Sequence, residues 1–134
     1  MKVDRNRIHQ KYGGRCAYCG KKVKLTDMHV DHIIPKSTYK FHMETKHKVP
    51  KFLTHLQEGD VNHYDNLNPS CSVCNLQKLN YSLEDFRNEL TSLMEYLQNN
   101  SRRFKLAKQY NFVQTKKLKP IIFYFENGKE DRDN

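Results

Sequence analysis

The stretch His29-Val-Asp-His-Ile-Ile-Pro35 decides how this chain is read. Val30, Ile33 and Ile34 have strand-forming side chains, and Pro35 stops a strand. Asp31 and His32 therefore stand side by side near a strand end. Successive strand residues point to opposite faces, so the two share one site only if the backbone bends there, as it can before a proline-led loop. A hard metal wants carboxylate oxygen, and a water nucleophile wants a base that works near neutral pH. The dipeptide offers both. On its own it is an unspecific signal, because a half-buried His more often simply packs.

On either side of this stretch lies a Cys-x-x-Cys pair. Upstream is Cys16-Ala-Tyr-Cys19-Gly20, the shape of a zinc knuckle, in which a tight turn aims both thiolates at one ion. Downstream is Asn66-Leu-Asn-Pro-Ser-Cys71-Ser-Val-Cys74-Asn75-Leu-Gln-Lys78. Two such pairs, about 50 residues apart, can close one tetrahedral structural zinc site through Cys16, Cys19, Cys71 and Cys74. Four unrelated buried thiols are improbable in so polar a chain. Asn75 and Lys78 follow Cys74 at helical spacing and fall on one face of a short helix.

Composition sets the partner class. The 134 residues are 37% hydrophobic and 29% charged, with no Trp, so a modest single-domain core gains from a metal staple. Lys and Arg number 24 against 15 acids, a formal net charge of +9, which suits a polyanion. No apolar run of about 18 residues predicts a membrane span, and the N-terminus lacks the apolar core of a signal peptide, so a cytoplasmic location is expected. In that compartment the cysteines read as metal ligands before disulfides.

The rest of the chain reads in order. A short helix is expected near residues 5–12, ending at Gly13-Gly14, and a short strand over 23–26 before the strand that carries Asp31. Residues 36–57 mix Lys36, Lys40, Lys46, Lys48 and Lys51 with Tyr39, Phe41 and Phe52. That composition suits a loop on a nucleic-acid backbone, and equally a surface segment whose aromatics dock on the core. A short helix is expected over 51–57. Ser82 caps a long helix whose stripe of Leu83, Phe86, Leu90, Leu93, Met94 and Leu97 reads as core-facing. A second amphipathic helix follows within 101–120, a stretch with seven bases and no acid that includes Arg102, Arg103 and Lys105. Ile121 to Phe125 reads as a strand, and 126–134 as a frayed tail. The whole chain reads as one domain, core about 12–90 and basic extension about 91–134.

Taken together, His29-Val-Asp31-His32-Ile-Ile-Pro, Asn66-Leu67 and Cys71-x-x-Cys74-Asn75-x-x-Lys78, with Cys16-x-x-Cys19-Gly upstream, resemble the HNH endonuclease family in its zinc-stapled form. The likeness covers roughly residues 12–90. It implies an α+β chain with a small ββα-metal core, followed here by C-terminal helices. By the same resemblance His32 is the general base, Asp31 and Asn75 hold a catalytic divalent ion, and Asn66 holds the loop and orients the base. Many members have His where Asn75 stands. The 36–65 loop is longer than usual and lacks a frequent Gly-Gly, which leaves the second strand unplaced. His29 is a candidate substrate contact or accessory ligand, and equally a packing residue.

The chemistry agrees. Phosphodiester cleavage needs an in-line nucleophile, charge neutralisation and leaving-group stabilisation. Asn instead of a second His hardens the site, which favours Mg²⁺ or Mn²⁺ over catalytic zinc. The expected partner is DNA, in double-stranded form, held by His29, Lys36, Lys78, Arg102, Arg103 and Lys105. Two other readings compete. A zinc nucleobase deaminase would use His29-Val-Asp31 and Pro69-Ser-Cys71-x-x-Cys74, but Asp stands for Glu, a Ser is inserted, and Cys16 and Cys19 are left idle. A non-catalytic zinc module that binds nucleic acid explains the charge and cysteines, but not Asp31-His32 and Asn75.

Overall fold

Helix α1 (Arg5–Gln10) starts where the Asp4 carboxylate accepts the Arg7 backbone N–H at 3.2 Å, and it runs out into Gly13 and Gly14, both at positive φ. In this computed structural model, residues 3–116 and 119–127 are described. Cys16 N–H donates to the Lys21 carbonyl at 2.8 Å and Gly20 N–H to the Cys16 carbonyl at 3.0 Å, which closes the first knuckle. Gly20 has φ 78°, and a Cβ there would lie 2.9 Å from the Tyr124 ring, so conformation and space both exclude a side chain. The strand expected over 23–26 does not form. Val23 N–H turns back to the Gly14 carbonyl, and Leu25–Asp27 is a 3-10 turn.

Strand β1 (His29–His32) follows, then a 3-10 turn over Lys36–Thr38 and helix α2 (Tyr39–Thr45). The long connection is thus more regular than its composition suggested. α2 buries Tyr39, His42 and Met43, and the Tyr39 hydroxyl donates to the Gln57 carbonyl at 2.6 Å. Phe41 and Phe52 stay about half exposed, so its aromatics divide between docking and display. The helix expected over 51–57 shrinks to a 3-10 turn at Lys51–Leu53, with Leu53 and Leu56 buried. A further turn, Tyr64–Asn66, delivers the missing second strand, β2 (Leu67–Ser70). β1 and β2 pair antiparallel, with Asp31 opposite Asn68 and His32 opposite Leu67. On the other side of β2, Ala17 N–H donates to the Pro69 carbonyl at 2.8 Å, tying knuckle to sheet.

Helix α3 (Ser72–Lys78) begins on Cys71, whose sulfur accepts the Cys74 N–H. Helix α4 (Leu83–Asn100) is capped by Ser82 as expected. Its apolar stripe is buried only at its start. Leu83 and Phe86 enter the core, whereas Leu93 is 44% exposed because α4 runs on past the core and meets α5 (Arg102–Gln109). The expected strand over 121–125 is not a strand either. Phe123 enters the core, stacked on Phe86 at 5.2 Å between centroids, and the chain turns at Tyr124–Glu126. Tyr124 and Phe125 N–H groups donate to the Tyr18 and Ala17 carbonyls. Arg87 latches this return through two hydrogen bonds to Glu126, at 2.8 and 2.6 Å, and one to the Ile121 carbonyl. The core therefore draws on Ile8 and Phe123, outside 12–90. Residues 128–134, most of the expected frayed tail, lie outside the described residues. Among the described residues no helix is long and apolar enough to cross a membrane. The architecture is mixed, with a two-stranded sheet followed by a helix, the α+β ββα-metal arrangement.

Candidate active site and zinc centre

The two knuckles meet. One sulfur from each of Cys16, Cys19, Cys71 and Cys74 lies within 4.8 Å of the others, and none is in a disulfide. Cys71 is both a member of this cluster and the cap of α3, so the thiolate site sets where that helix starts. A hydrogen bond from Cys74, with backbone N–H groups, holds the Cys16 thiol down to about 4 despite burial. The same contact, followed by burial, pushes Cys74 up. Four thiolates this close repel one another, and a bound cation would relieve that repulsion. The donor set is that of structural zinc.

Immediately past Cys74, α3 carries Asn75 and, about a turn on, Lys78. Lys78, expected at the nucleic-acid surface, is instead fully buried. Its ammonium lies 3.2 Å from Oδ1 and 3.1 Å from Oδ2 of Asp31 and donates to the His32 carbonyl at 2.9 Å. Helical spacing put Lys78 on the Asn75 face but could not show that this face meets β1. Tyr18, from the first knuckle, donates its hydroxyl to Asp31 Oδ2. Asp31 is 5% exposed. Burial pushes its carboxyl up, against the opposing pull of Lys78 and Tyr18, and burial likewise lowers Lys78.

Whether a hard cation fits beside Asp31 turns on Asn68, its partner across the sheet. The Asn68 side chain is wholly buried; its amide N–H reaches the Tyr18 hydroxyl at 3.4 Å, and its Oδ1 has no hydrogen-bond partner. A buried carbonyl oxygen left unpaired beside a carboxylate is a donor set that a hard divalent ion suits, with Asn75 on α3 nearby in sequence to Lys78. Lys78 competes for the same carboxylate.

His32 faces a different environment. It is half-buried, and its Nε2 lies 2.8 Å from Asn62 Oδ1. With the amide oxygen assigned there, Nε2 carries the proton and Nδ1 keeps its lone pair. Asn62 had no motif to mark it. Asn66, fully buried, staples the strand end: Oδ1 accepts Ile34 N–H at 2.8 Å, and Nδ2 donates to the carbonyls of Val61 at 2.9 Å and Ile34 at 3.3 Å. Its own carbonyl accepts Ile33 N–H at 2.9 Å. Asn66 thus bonds the backbone at Ile34 and Val61, while the residue touching the imidazole is Asn62.

The other expected nucleic-acid contacts are dispersed. Lys36 follows Pro35 on the surface; Arg102, Arg103 and Lys105 are exposed on α5. Exposed His29 lines a groove of about 540 Å³ with Lys21, Lys22 and Lys24, three bases that the knuckle places there. Lys48 is tied to Asp85 at 2.6 Å.

Residues 16–80 match the family model described as HNH endonuclease. No curated protein and no solved structure matches the chain. The matched stretch holds both knuckles, both strands and α3, and on that ground the chain carries an HNH endonuclease domain, with four cysteines that fit its zinc-stapled form.

Proposed function

We propose that this protein is a metal-dependent endonuclease that hydrolyses DNA phosphodiester bonds, with His32 as general base. The observation that carries the reading is the His32–Asn62 hydrogen bond at the end of β1. It leaves Nδ1 as the nitrogen able to take a proton from water, while Asn62 Oδ1 holds the opposite N–H and fixes the ring. Asn66 keeps the strand end and the 61–66 segment in register, so the ring is aimed by backbone that is itself fixed. Asp31, with Asn75, would hold Mg²⁺ or Mn²⁺. Such an ion supplies charge neutralisation at the phosphate and leaving oxygen when bound. Thiolate zinc would be structural. Exposed bases at Lys36, on α5 and along the Lys21–His29 groove would bind phosphates of double-stranded DNA, with His29 among the contacts.

A second reading, a zinc module that binds nucleic acid without cutting it, is favoured by one observation: Asp31 is buried and already neutralised by Lys78. Plasmid nicking separates the two. Wild type should cut in Mg²⁺ and stop in EDTA, and His32→Ala should be far slower at unchanged DNA affinity. Equal cutting by both proteins, or cutting without free divalent ion, would remove His32 and its ion from the mechanism.

A further inference from the structure

The long connection between the strands contains a second cluster of ligand-type side chains, separate from the thiol cluster. His55 follows the Lys51–Leu53 turn, and His63 and Asp65 begin the Tyr64–Asn66 turn. His55 Nε2 is 2.7 Å from Asp65 Oδ2, and His63 Nδ1 is 3.8 Å from that same oxygen. One ring nitrogen of each His and a carboxylate oxygen all lie within 4.8 Å of one another. Two metal bonds of about 2.0–2.1 Å at a tetrahedral angle put donors about 3.3 Å apart, inside the span observed here. The three side chains are 53%, 40% and 42% exposed, so water has access to fill further positions.

We propose that His55, His63 and Asp65 form a second metal site, for a first-row divalent ion that accepts imidazole, with zinc the probe of choice. Two imidazoles and one carboxylate suit such an ion better than Mg²⁺, which prefers oxygen alone. Binding through His55 Nε2 replaces its 2.7 Å hydrogen bond with Asp65. If His63 ligates through Nδ1, the ion also replaces the 3.0 Å hydrogen bond which that nitrogen now accepts from Asp65 N–H. Two cations lie close by: Lys11, whose ammonium is held on the Tyr64 and Leu67 carbonyls and feels Asp65, and Arg7, over the Tyr64 ring.

The ion would clip the 55–65 segment into a closed loop. Asn62 lies inside that loop, next to His63, and its amide oxygen holds His32. Occupancy would therefore fix the segment that aims the imidazole. This coupling rests on the reading of His32 as base; metal binding itself does not.

Calorimetric titration of the full chain, with its thiolate zinc already counted, tests the site. Added Zn²⁺ should bind with one further equivalent in wild type. His55→Ala and His63→Ala, both at exposed positions, should each weaken it by about tenfold or more, in the range seen when a metal site loses support. Asp31→Asn should keep it. Ring ¹⁵N shifts of His55 and His63 should move as that equivalent fills. No further equivalent in wild type, or one that survives both His variants with unchanged affinity, overturns the proposal. So does an equivalent that disappears in Asp31→Asn alone, which would place the ion in the catalytic site. Nicking by His32→Ala is read separately, so failure of the nuclease reading leaves this titration decisive.

Discussion

Asp31 and His32 are neighbours in one strand, yet the regions that hold them differ in kind. Asp31 belongs to the staple: Tyr18 from the first knuckle and Lys78 from the helix after the second both meet its carboxylate. His32 belongs to the connecting loop, where Asn62 touches the ring and Asn66 fixes the backbone through side chain to main chain hydrogen bonds. The first region is organised from long range by four thiols. The second is organised locally, by two amides within five residues of each other. A polar chain with a small core can thus hold one side of a candidate site with four clustered thiols and the other with side-chain amides.

The comparison predicts unequal fragility. Removing the staple should have the largest effect. Structural zinc sites supply about 10–16 kcal/mol of apparent binding free energy, more than a domain of this size has in reserve. Cys71→Ser, which also removes the α3 cap, should yield protein without native circular dichroism, and chelator should do the same to wild type. A zinc-free protein that stays folded with four titratable thiols would show that the staple is dispensable.

The loop should break more gently, and its two amides should part company. Asn66→Ala leaves Ile34 N–H and the Val61 carbonyl unpaired in the interior, at about 1–3 kcal/mol each. Its urea midpoint should fall clearly at pH 7. Asn62→Ala sits at a half-buried position and should leave that midpoint nearly in place while slowing nicking about 10- to 100-fold, as removal of an orienting partner does. If Asn62→Ala cuts at the wild-type rate with equal DNA affinity, the imidazole is aimed by something else.

The same contrast explains what was legible in the sequence. The staple announced itself, because two Cys-x-x-Cys pairs have few other uses. β1 was readable from Val30, Ile33, Ile34 and Pro35, and α4 from its Ser82 cap. Lys78 was readable only as a position on a helix face; that the face turns inward depends on Asp31, 47 residues earlier. Asn62 carried no signal, because one Asn in a polar loop looks like any turn residue. Ile121–Phe125 has strand composition, but the N–H groups of Tyr124 and Phe125 go to the Tyr18 and Ala17 carbonyls as a lid on the knuckle, and tertiary context overrode propensity. The 36–65 connection folds into α2 and short turns held by side chains such as Tyr39, which periodicity over so few residues does not show.

Outside both regions lies α5, whose Arg102, Arg103 and Lys105 touch neither half of the site. Reversing these three charges should leave fold and metal content unchanged. For every phosphate that the variant no longer neutralises, the salt slope of log affinity should fall by about 0.9. Binding measured across a salt series decides it: an unchanged slope would mark α5 as a solvated face and leave the Lys21–His29 groove as the main phosphate-binding surface.

The smallest effect is expected where loop and helix touch at the surface. Lys48 lies 2.6 Å from Asp85 in the first turn of α4. The hydrogen bond from Lys48 holds the Asp85 carboxyl below its ordinary value, helped by Ser82. A folded-state carboxyl held low means that the unfolded chain binds the proton more readily. The stabilisation is therefore present above the unfolded value, about 3.9, and is lost as pH falls through the folded one. Both side chains are more than a third exposed, so solvent screens the pair, and such pairs contribute about 0.2–1 kcal/mol. Asp85→Asn should lower the urea midpoint slightly at pH 7 and by less in high salt, where the pair is screened. The quantity to read is the difference between the two proteins at each salt concentration, at a pH where thiolate zinc stays bound to both. A difference that persists unchanged in high salt would assign the effect of Asp85 to its place in the helix cap rather than to Lys48.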